Sequence, residues 1–401
     1  MGAKHFLALL FAAGLGVGVG AGRAAVAAPA VAAPAVAAPE YRVIVAGPPG
    51  SSAAAINSAG VVAGSYTPAG ASGARAFINR GQGLVDLRQI GTASAPRAIN
   101  DKDQVLGNWT SASGQTRGVI WHRGQARDLG IIPGMLVTYH LDINNAGYVV
   151  AEARQDGAFH SFLRAPNGAI RDLGSLPASD PITNATTLND LNQVTGGSGE
   201  FALPEIPYHA FTWTRGVMRD LGDAGSAPNV GNGINNRGQV TGFASVLSGG
   251  PHDRIAFIYT NGRLQDIDGR PPTVERFSEG MRINGRGHVV GSSDHLRGFV
   301  YRGRRMQSLN TLVDPRPAWD LWPGDINDAG QIAATGYRNG QMFAVRLDPI
   351  RPSLEAPIVR TPEEDAALSL LDPPPTPPQA AEEAALDAAA RAREVVQPVQ
   401  Q

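Results

Sequence analysis

The chain has no cysteine, and among its 401 residues Lys4 and Lys102 are the only lysines. The absence of cysteine excludes disulfide bonds, thiolate metal sites and cysteine nucleophiles. Charged residues make up only 17 % of the chain and the formal net charge is −1. A nucleic-acid-binding protein usually carries a basic surplus or a basic patch. We therefore expect no nucleic-acid partner.

The sequence motifs of the common catalytic and metal sites are missing as well. The chain contains no His-Glu-x-x-His, no Gly-x-Ser-x-Gly, no Walker loop and no Asp-x-Asp-x-Asp-Gly calcium loop. These spacings are how a metalloprotease, an α/β-hydrolase, a P-loop enzyme or an EF-hand is recognised from sequence. The sequence therefore assigns no catalytic residue, no metal ligand and no cofactor.

Long apolar runs are scarce, and the clearest one lies near the N-terminus. It extends from Phe6 to about Gly20, after the polar residues Lys4 and His5, and is followed by an Ala25-Val26-Ala27 site. A membrane-spanning helix needs roughly 20 apolar residues, so this run is too short to be an anchor. The order of polar, apolar and small residues is typical of a cleaved signal peptide, here over residues 1–27. We expect export to the periplasm or the extracellular space and no transmembrane segment in the mature chain.

A short motif recurs along most of the chain. An Ile-Asn or Leu-Asn pair stands before a turn and an apolar strand at seven places, and the spacings between the asparagines are 43, 44, 45, 46, 49 and 43 residues. The marker asparagines are Asn57, Asn100, Asn144, Asn189, Asn235, Asn284 and Asn327. Three residues after each marker stands Gly, Asp or Asn, the types that best tolerate a left-handed backbone. Each marker therefore predicts a tight hairpin turn, and the even period predicts seven copies of one structural unit.

Each copy contains four short segments with the alternating pattern of β-strands. A four-stranded unit of this size cannot bury both of its faces alone, and radial stacking of such units solves the problem. We predict an all-β fold, a seven-bladed β-propeller of four-stranded antiparallel blades over residues 41–347.

The two ends of the repeat region support a ring. The last repeat lacks its fourth strand, while Tyr41–Val45 stands before the first repeat as a spare strand. We expect this N-terminal strand to complete the last blade and close the propeller. An open solenoid, the alternative arrangement, has no use for the spare strand.

Two further segments are expected outside the propeller. Residues 28–40 are rich in Ala and Pro, which is typical of a linker. Residues 348–401 are rich in Pro, Ala and Glu. Such compositions cannot bury a hydrophobic core, so the C-terminal segment is predicted to be disordered. It would serve as an interaction tail or as a solvated spacer.

The motifs follow one order within the repeats. The first motif is Ile-Asn-x-x-Gly-x-Val-x-Gly, the second is His-Ala-Phe, as in His209-Ala210-Phe211, and the third is Asp-Leu-Gly. Near copies of the second motif are Arg75-Ala76-Phe77 and His160-Ser161-Phe162. This order resembles the HAF-repeat family of bacterial extracellular proteins over about residues 41–347. The resemblance implies export and a propeller-like repeat, and it transfers no catalytic residues to this chain.

The candidate binding residues are those that break the repeat on the first strand of a copy. First strands are expected to line the central channel, where small side chains fit best. The exceptions come from the third, sixth and seventh copies and are Tyr139, His140, Asp142, Glu279, Arg282, Trp322 and Asp325. Aromatic rings beside mixed charge suit a carbohydrate, a peptide or another small polar ligand. Alternatively, these side chains plug the channel and satisfy one another, and His140 in particular either fills a hole or faces a ligand.

Two functions remain open at the level of sequence. The first is a monomeric binding or protein-interaction scaffold with a site on the rim or at the channel mouth for a polar ligand or a partner protein. Long loops over Gly197–Tyr208 and Phe243–Arg254 favour it, because loops on a rigid scaffold commonly carry recognition. The second is an extracytoplasmic hydrolase or lyase that uses channel-mouth carboxylate and His groups, with or without a metal. That enzyme would require convergence within coordination distance of His140, Asp142, Glu279 and Asp325.

Overall fold

The computed structural model describes residues 38–351, apart from 156–157, 178–181, 200–207, 223–227 and 247–252. The predicted signal peptide, nearly all of the predicted linker and the C-terminal segment from residue 352 lie outside the described residues. Within the described part, strands run from Tyr41 to Pro349, and the one helix is a 3-10 turn at Leu309–Thr311. No helix in this part is long and apolar enough to cross a membrane.

The first four blades are antiparallel sheets whose strands follow chain order from the channel outward. Blade 1 consists of β2 Ser52–Ile56, β3 Val62–Tyr66, β4 Arg75–Asn79 and β5 Leu84–Asp86. Blade 2 consists of β6 Ala93–Ile99, β7 Val105–Thr110, β8 Thr116–His122 and β9 Gln125–Gly130. Blade 3 consists of β10 Val137–Ile143, β11 Val149–Gln155, β12 Ala158–Arg164 and β13 Ile170–Asp172. Blade 4 consists of β14 Ile182–Leu188, β15 Val194–Gly199, β16 Tyr208–Thr214 and β17 Val217–Asp220.

The remaining three blades have the same order, and the seventh takes its outer strand from the N-terminal side. Blade 5 consists of β18 Asn229–Ile234, β19 Val240–Ser245, β20 Arg254–Thr260 and β21 Arg263–Asp266. Blade 6 consists of β22 Ser278–Ile283, β23 Val289–Ser293, β24 Arg297–Arg302 and β25 Arg305–Ser308. Blade 7 consists of β26 Asp320–Ile326, β27 Ile332–Arg338, β28 Gln341–Pro349 and β1 Tyr41–Val45. The predicted seven-bladed β-propeller is confirmed.

The N-terminal strand closes the ring as the sequence predicted. β1 pairs antiparallel with β28, from Tyr41 opposite Pro349 to Val45 opposite Val345. The Tyr41 side chain is buried, and its backbone amide donates to the Leu312 carbonyl at 3.0 Å. The strand therefore joins the last blade to the segment that leaves the sixth.

The hydrophobic core lies between blades. The third strand of each blade contributes one buried residue to this core. These residues are Phe77, Val119, Phe162, Phe211, Phe257, Phe299 and Phe343. Aromatic and β-branched side chains fit this half-buried, pleated surface well. Burial of such side chains contributes about 1.5–3 kcal/mol each, so the column stabilises every interface between blades.

The marker turns have the predicted backbone. Gly238, three residues after Asn235, has a φ of 71° and donates its amide to the Asn235 carbonyl at 2.9 Å. Asp103 and Asn192 occupy the same place in other blades with φ of 57° in each case. Asp and Asn enter the left-handed region more readily than other non-glycine residues. We call the end of the propeller at which the seven marker turns lie the Asn face.

The marker asparagines also bond to one another around the Asn face. The Nδ2 group of each donates to the backbone carbonyl of the next, at 2.9 to 3.3 Å, and Asn327 donates to Asn57 across the closure. Each Oδ1 accepts from the amide four residues further along its own chain segment. One side chain thus stabilises its own turn and the contact with the next blade. We call this closed set of seven bonds the Asn circle.

Candidate functional site

All seven inner strands contain a β-bulge at the same place. The bulge residue lies two positions before the Ile or Leu that precedes the marker Asn. In β10 the register shifts between His140 and Asp142, which leaves Leu141 in the bulge. Equivalent shifts occur in the other six inner strands. A bulge bends the strand and re-aims the neighbouring side chains. The bulge residue and its successor therefore reach the channel wall just inside the Asn face.

A cavity of about 240 Å³ occupies the channel at the Asn face, and residues of all seven blades line it. Its inner wall carries the polar side chains of Arg97, Asp142, Thr187, Arg282 and Asp325. Its rim is formed by the residues that follow the marker asparagines, namely Ser58, Asp101, Asn145, Asp190, Asn236, Gly285 and Asp328. Three of the seven predicted site residues, Asp142, Arg282 and Asp325, thus share one cavity.

The two aspartates of the inner wall each connect neighbouring blades. One oxygen of Asp142 accepts from the Ile143 amide at 2.8 Å, and the other accepts from the Leu188 amide of blade 4 at 3.3 Å and from the Thr187 hydroxyl. Asp325 likewise accepts from the next amide of its own strand at 2.8 Å and from the Ile56 amide of blade 1 at 3.0 Å. Both carboxyl groups therefore have a structural role in the ring.

Burial raises the pKa of both carboxyl groups, that of Asp325 to about 6, and the positive charge of Arg282 opposes the rise in each case. Both residues are half-buried, and protein atoms enclose their carboxyl groups and remove much of their hydration. Desolvation of a carboxylate disfavours its charged form. Asp142 adds a further rise at Asp325, because two negative charges on one channel wall repel each other.

The two arginines of the inner wall have different surroundings. The Nη1 group of Arg282 donates to the Asn232 carbonyl at 2.9 Å and to the Met281 carbonyl at 3.0 Å. Arg97 is exposed to the channel, and within the described residues no hydrogen bond or ion pair engages its guanidinium group. Burial lowers the pKa of Arg97 and repulsion from Arg282 lowers it further, while attraction to Asp142 and Glu152 opposes the decrease. The channel thus holds two cations that repel each other, and the guanidinium donors of Arg97 are not used in the described part of the chain.

Three other predicted residues, Tyr139, Glu279 and Trp322, lie further from the Asn face. Each stands three residues before the inner-wall residue of its own strand, a distance of about 10 Å at the rise of a β-strand. The Tyr139 side chain is exposed, and Glu279 accepts from Asn232 Nδ2 at 2.9 Å, with Arg254 at 3.9 Å. They belong to the channel wall beyond the cavity and do not join the inner-wall residues.

His140 lies in the protein interior and not at the channel. Its side chain has no solvent exposure, and its ring packs closely against Gly118 on β8 of blade 2. Neither ring nitrogen has a hydrogen-bond partner. Burial lowers its pKa to about 4, and the charge of Arg164 contributes in the same direction. The structure therefore places His140 as a packing residue, which favours the first of the two interpretations left open by the sequence.

The convergence required by the enzyme hypothesis is not seen in the described part of the chain. No group of three or more His, Cys, Asp or Glu side chains is close enough there to hold a metal ion. His140 is separated from the cavity, and Glu279 hydrogen bonds to Asn232. Asp142 and Asp325 use both oxygens to bind backbone amides. The arrangement offers charge and hydrogen bonding to a ligand, without a metal centre among these residues.

Sequence reasoning missed Arg97, although a signal for it was present. Two residues before the marker's Ile or Leu stand Ala54, Arg97, Leu141, Thr186, Asn232, Met281 and Gly324. Arg97 is the single charged residue of that column. The column was not informative beforehand, because in a regular strand this position and the next point to opposite faces. The bulge brings both to the channel.

The comparisons with known proteins agree with the fold. The chain is similar to the β-propeller domain of the Trilobed protease from Pyrococcus furiosus, at 9 % identity and a TM-score of 0.52, over 77 % of this chain and 99 % of that one. It is also similar to an acylaminoacyl peptidase from Pyrococcus horikoshii, at 8 % identity and a TM-score of 0.49, over 74 % of this chain and 51 % of that one. At such identities the first likeness shows the propeller fold alone. No protein-family model and no curated protein matches the sequence.

Proposed function

We propose that the protein is an exported binding scaffold whose channel binds a small polar ligand at the Asn face. Membership of the HAF-repeat family and export to the periplasm or the extracellular space are parts of this proposal. The order of the repeat motifs and the signal-peptide pattern of residues 1–27 support them. The propeller supplies a rigid frame, since every blade is bonded to its neighbours through the Asn circle.

The observation that carries the proposal is Arg97 in the cavity of about 240 Å³. If the polar residues of the channel only satisfied one another, Arg97 would pair with a carboxylate of the wall. Instead, Asp142 and Asp325 are engaged by backbone amides, and Arg97 faces the cavity exposed. Asp142 and Glu152 attract Arg97 through charge alone, so its guanidinium donors stay available to a ligand, and a few such polar groups in a cavity are typical of a binding site. The hydrolase or lyase alternative has no such observation in its favour.

Blocking the channel tests this function. Ala54 is the bulge residue of blade 1 and lines the cavity, so Ala54→Phe fills the channel without changing its charge. Ala112→Phe is the matched control, because Ala112 lies exposed in the turn after β7. The probes are glycylglycine, succinate, inorganic phosphate and glucose, with binding measured by calorimetry and by the shift of the melting temperature.

At a probe concentration of 100 times Kd, binding stabilises the folded state by about 2.7 kcal/mol. We expect at least one probe to stabilise the wild type and the Ala112→Phe variant, and none to stabilise the Ala54→Phe variant. If every probe that binds the wild type bound both variants equally well, the binding site would not lie in the channel. Failure of all four probes to bind the wild type would contradict a small polar ligand.

A further inference from the structure

Both arginines that line the cavity lie on its inner wall, beside Asp142 and Asp325, and the charged residues of its rim are all aspartates. Arg97 and Arg282 lie on the inner wall, while Asp101, Asp190 and Asp328 belong to the rim. The two sets are separated along the channel axis, because Asp101 follows Arg97 by four residues on the same blade. At the rise of a β-strand this corresponds to on the order of 10 Å. A ligand in the channel therefore meets arginines only at the inner end, whereas the charged groups at the rim are all carboxylates.

The interior favours an anionic group between the two arginines. Arg282 comes from blade 6 and Arg97 from blade 2, so the guanidinium groups approach the channel from different sides. The carbonyl oxygens of Asn232 and Met281 hold Arg282 through its Nη1 group, and Arg97 is exposed and unengaged among the described residues. A guanidinium group presents planar donors that match a carboxylate in a bidentate manner. An anion between them would offset their mutual repulsion, and the raised pKa of Asp142 and Asp325 lessens the negative charge of the same wall.

The rim favours a cationic group. Asp101, Asp190 and Asp328 are exposed at the mouth. Their oxygens accept hydrogen bonds from neighbouring turns, such as the Asn145 Nδ2 group, which donates to Asp101 at 2.9 Å and to Asp190 at 3.1 Å. These donors are neutral amides, so the negative charges of the rim are not compensated by them. An ammonium group at the mouth would find carboxylates fixed in place on three blades.

We infer that the channel binds a short peptide as a zwitterion, with its C-terminal carboxylate between Arg97 and Arg282 and its N-terminal ammonium group at the rim. This inference rests on the proposed function and names the ligand of the same site. An extended peptide spans at most about 3.3–3.6 Å per residue, so two or three residues connect the two charged zones. The cavity volume of about 240 Å³ admits a ligand of this size with small side chains.

Three glycine dipeptides separate the contributions of the two charges. Glycylglycine carries both charges, glycylglycinamide lacks the carboxylate, and N-acetylglycylglycine lacks the ammonium group. Calorimetry on the wild type should show the amide binding at least about tenfold more weakly than glycylglycine, because hydrogen bonds between charged groups are the strong ones. The acetylated probe should lose only about two- to fivefold, because ion pairs exposed at a rim are weak.

Variants of Arg97 locate the carboxylate. Arg97→Ala should weaken glycylglycine binding at least about tenfold, to the affinity of the amide probe for the wild type. Arg97→Lys should have an affinity between those of the wild type and Arg97→Ala, since lysine keeps the charge and lacks the planar guanidinium group. Arg127→Ala is the control, because Arg127 is exposed on β9 of the same blade. Without a probe, Arg97→Ala should melt close to the wild-type temperature, because the lost repulsion from Arg282 is offset by the lost attraction to Asp142 and Glu152 and no hydrogen bond within the described residues is broken.

The outcomes distinguish the inference from the proposed function. Equal binding of glycylglycine and its amide, or unchanged binding to Arg97→Ala, would overturn the inference. If glucose or phosphate then bound and Ala54→Phe abolished that binding, the channel would still be a ligand site of another class. If no probe depended on Ala54, both the inference and the proposed function would fail.

Discussion

His140 and Asp325 lie on inner strands of different blades, and burial shifts both toward the neutral form. Burial lowers the pKa of His140 from 6.5 to about 4 and raises the pKa of Asp325 from 3.8 to about 6. Folding stability depends on pH wherever the folded and unfolded states bind different numbers of protons. The two residues therefore make stability vary with pH between about 4 and 6.5.

The two effects have opposite signs. Below pH 6.5 the unfolded chain protonates His140 and the folded chain does not, so stability is lost as the pH falls from 6.5 to about 4. Above pH 3.8 the unfolded chain ionises Asp325 while the folded chain keeps its proton, so stability is lost as the pH rises from 3.8 to about 6. Each effect amounts to at most about 3–4 kcal/mol, and solvent in the channel reduces the effect of Asp325.

Replacing His140 and Asp325 separately should show how much each contributes to the dependence of folding stability on pH. Relative to the wild type, His140→Leu should gain stability as the pH falls from 6.5 to 4, because the unfolded chain can no longer bind a proton at this position. Asp325→Asn should gain relative stability as the pH rises from 4 to 6. Urea unfolding of the three proteins at pH 4, 5, 6 and 7 measures both differences. If the stability of both variants relative to the wild type changed in the same direction with pH, the opposite signs of the two effects would be contradicted.

Residue identity alone could not establish what these side chains face. The sequence indicated His140 as an exception in a column of small residues, but the contact with Gly118 of the preceding blade follows only from how two blades pack. Asp142, Arg282 and Asp325 share one column of the inner strands and one end of the ring, and all three line the cavity. Arg97 stayed hidden, since its orientation depends on the bulge.

At the scale of single elements, the marker turn illustrates what a sequence predicts well. The conformation of the turn depends on residues within four positions, so the Asn and the glycine after it are sufficient to predict it. The bulge in each inner strand depends instead on pairing with the second strand. No residue type marks the bulge position, where Ala, Arg, Leu, Thr, Asn, Met and Gly all occur.

Gly238 tests the requirement for a left-handed residue in the turn. Its φ is 71°, a region that a β-branched residue enters only with strain. Gly238→Val should lower the free energy of unfolding by about 1–3 kcal/mol. Gly238→Asn should cost much less, because Asn192 already adopts a φ of 57° at the equivalent place in blade 4. Urea unfolding compares the two variants, and an equal loss for Val and Asn would show that backbone conformation is not the cause.

At the scale of the whole molecule, two features close the ring. β1 supplies the outer strand of blade 7, and the Asn circle joins blade 7 to blade 1 through the bond from Asn327 to Asn57 at 2.9 Å. The sequence predicted the first, because a missing strand at one end matches a spare strand at the other. It could not predict the second, because a bond between asparagines of successive blades depends on the radius and tilt of the ring.

Deleting β1 tests how much the closing strand contributes. A chain that starts at Gly47 lacks the buried Tyr41 and loses the strand that covers Val345 and Leu347, both buried in the native fold. Full burial of one large apolar side chain contributes about 1.5–3 kcal/mol, so the loss should exceed about 3 kcal/mol, a large part of the 5–15 kcal/mol typical of folded domains.

The matched control for this truncation is a chain that starts at residue 38, which keeps β1 and lacks only residues outside the described part. The shorter chain should unfold at a lower urea concentration than the control and should associate through the unpaired edge of β28, since an exposed strand edge is a template for pairing. A synthetic peptide of residues 40–46 should restore stability in a concentration-dependent manner, because it binds only the folded form. If the two chains unfolded at the same urea concentration, β1 would be dispensable and the Asn circle alone would have to hold the ring closed.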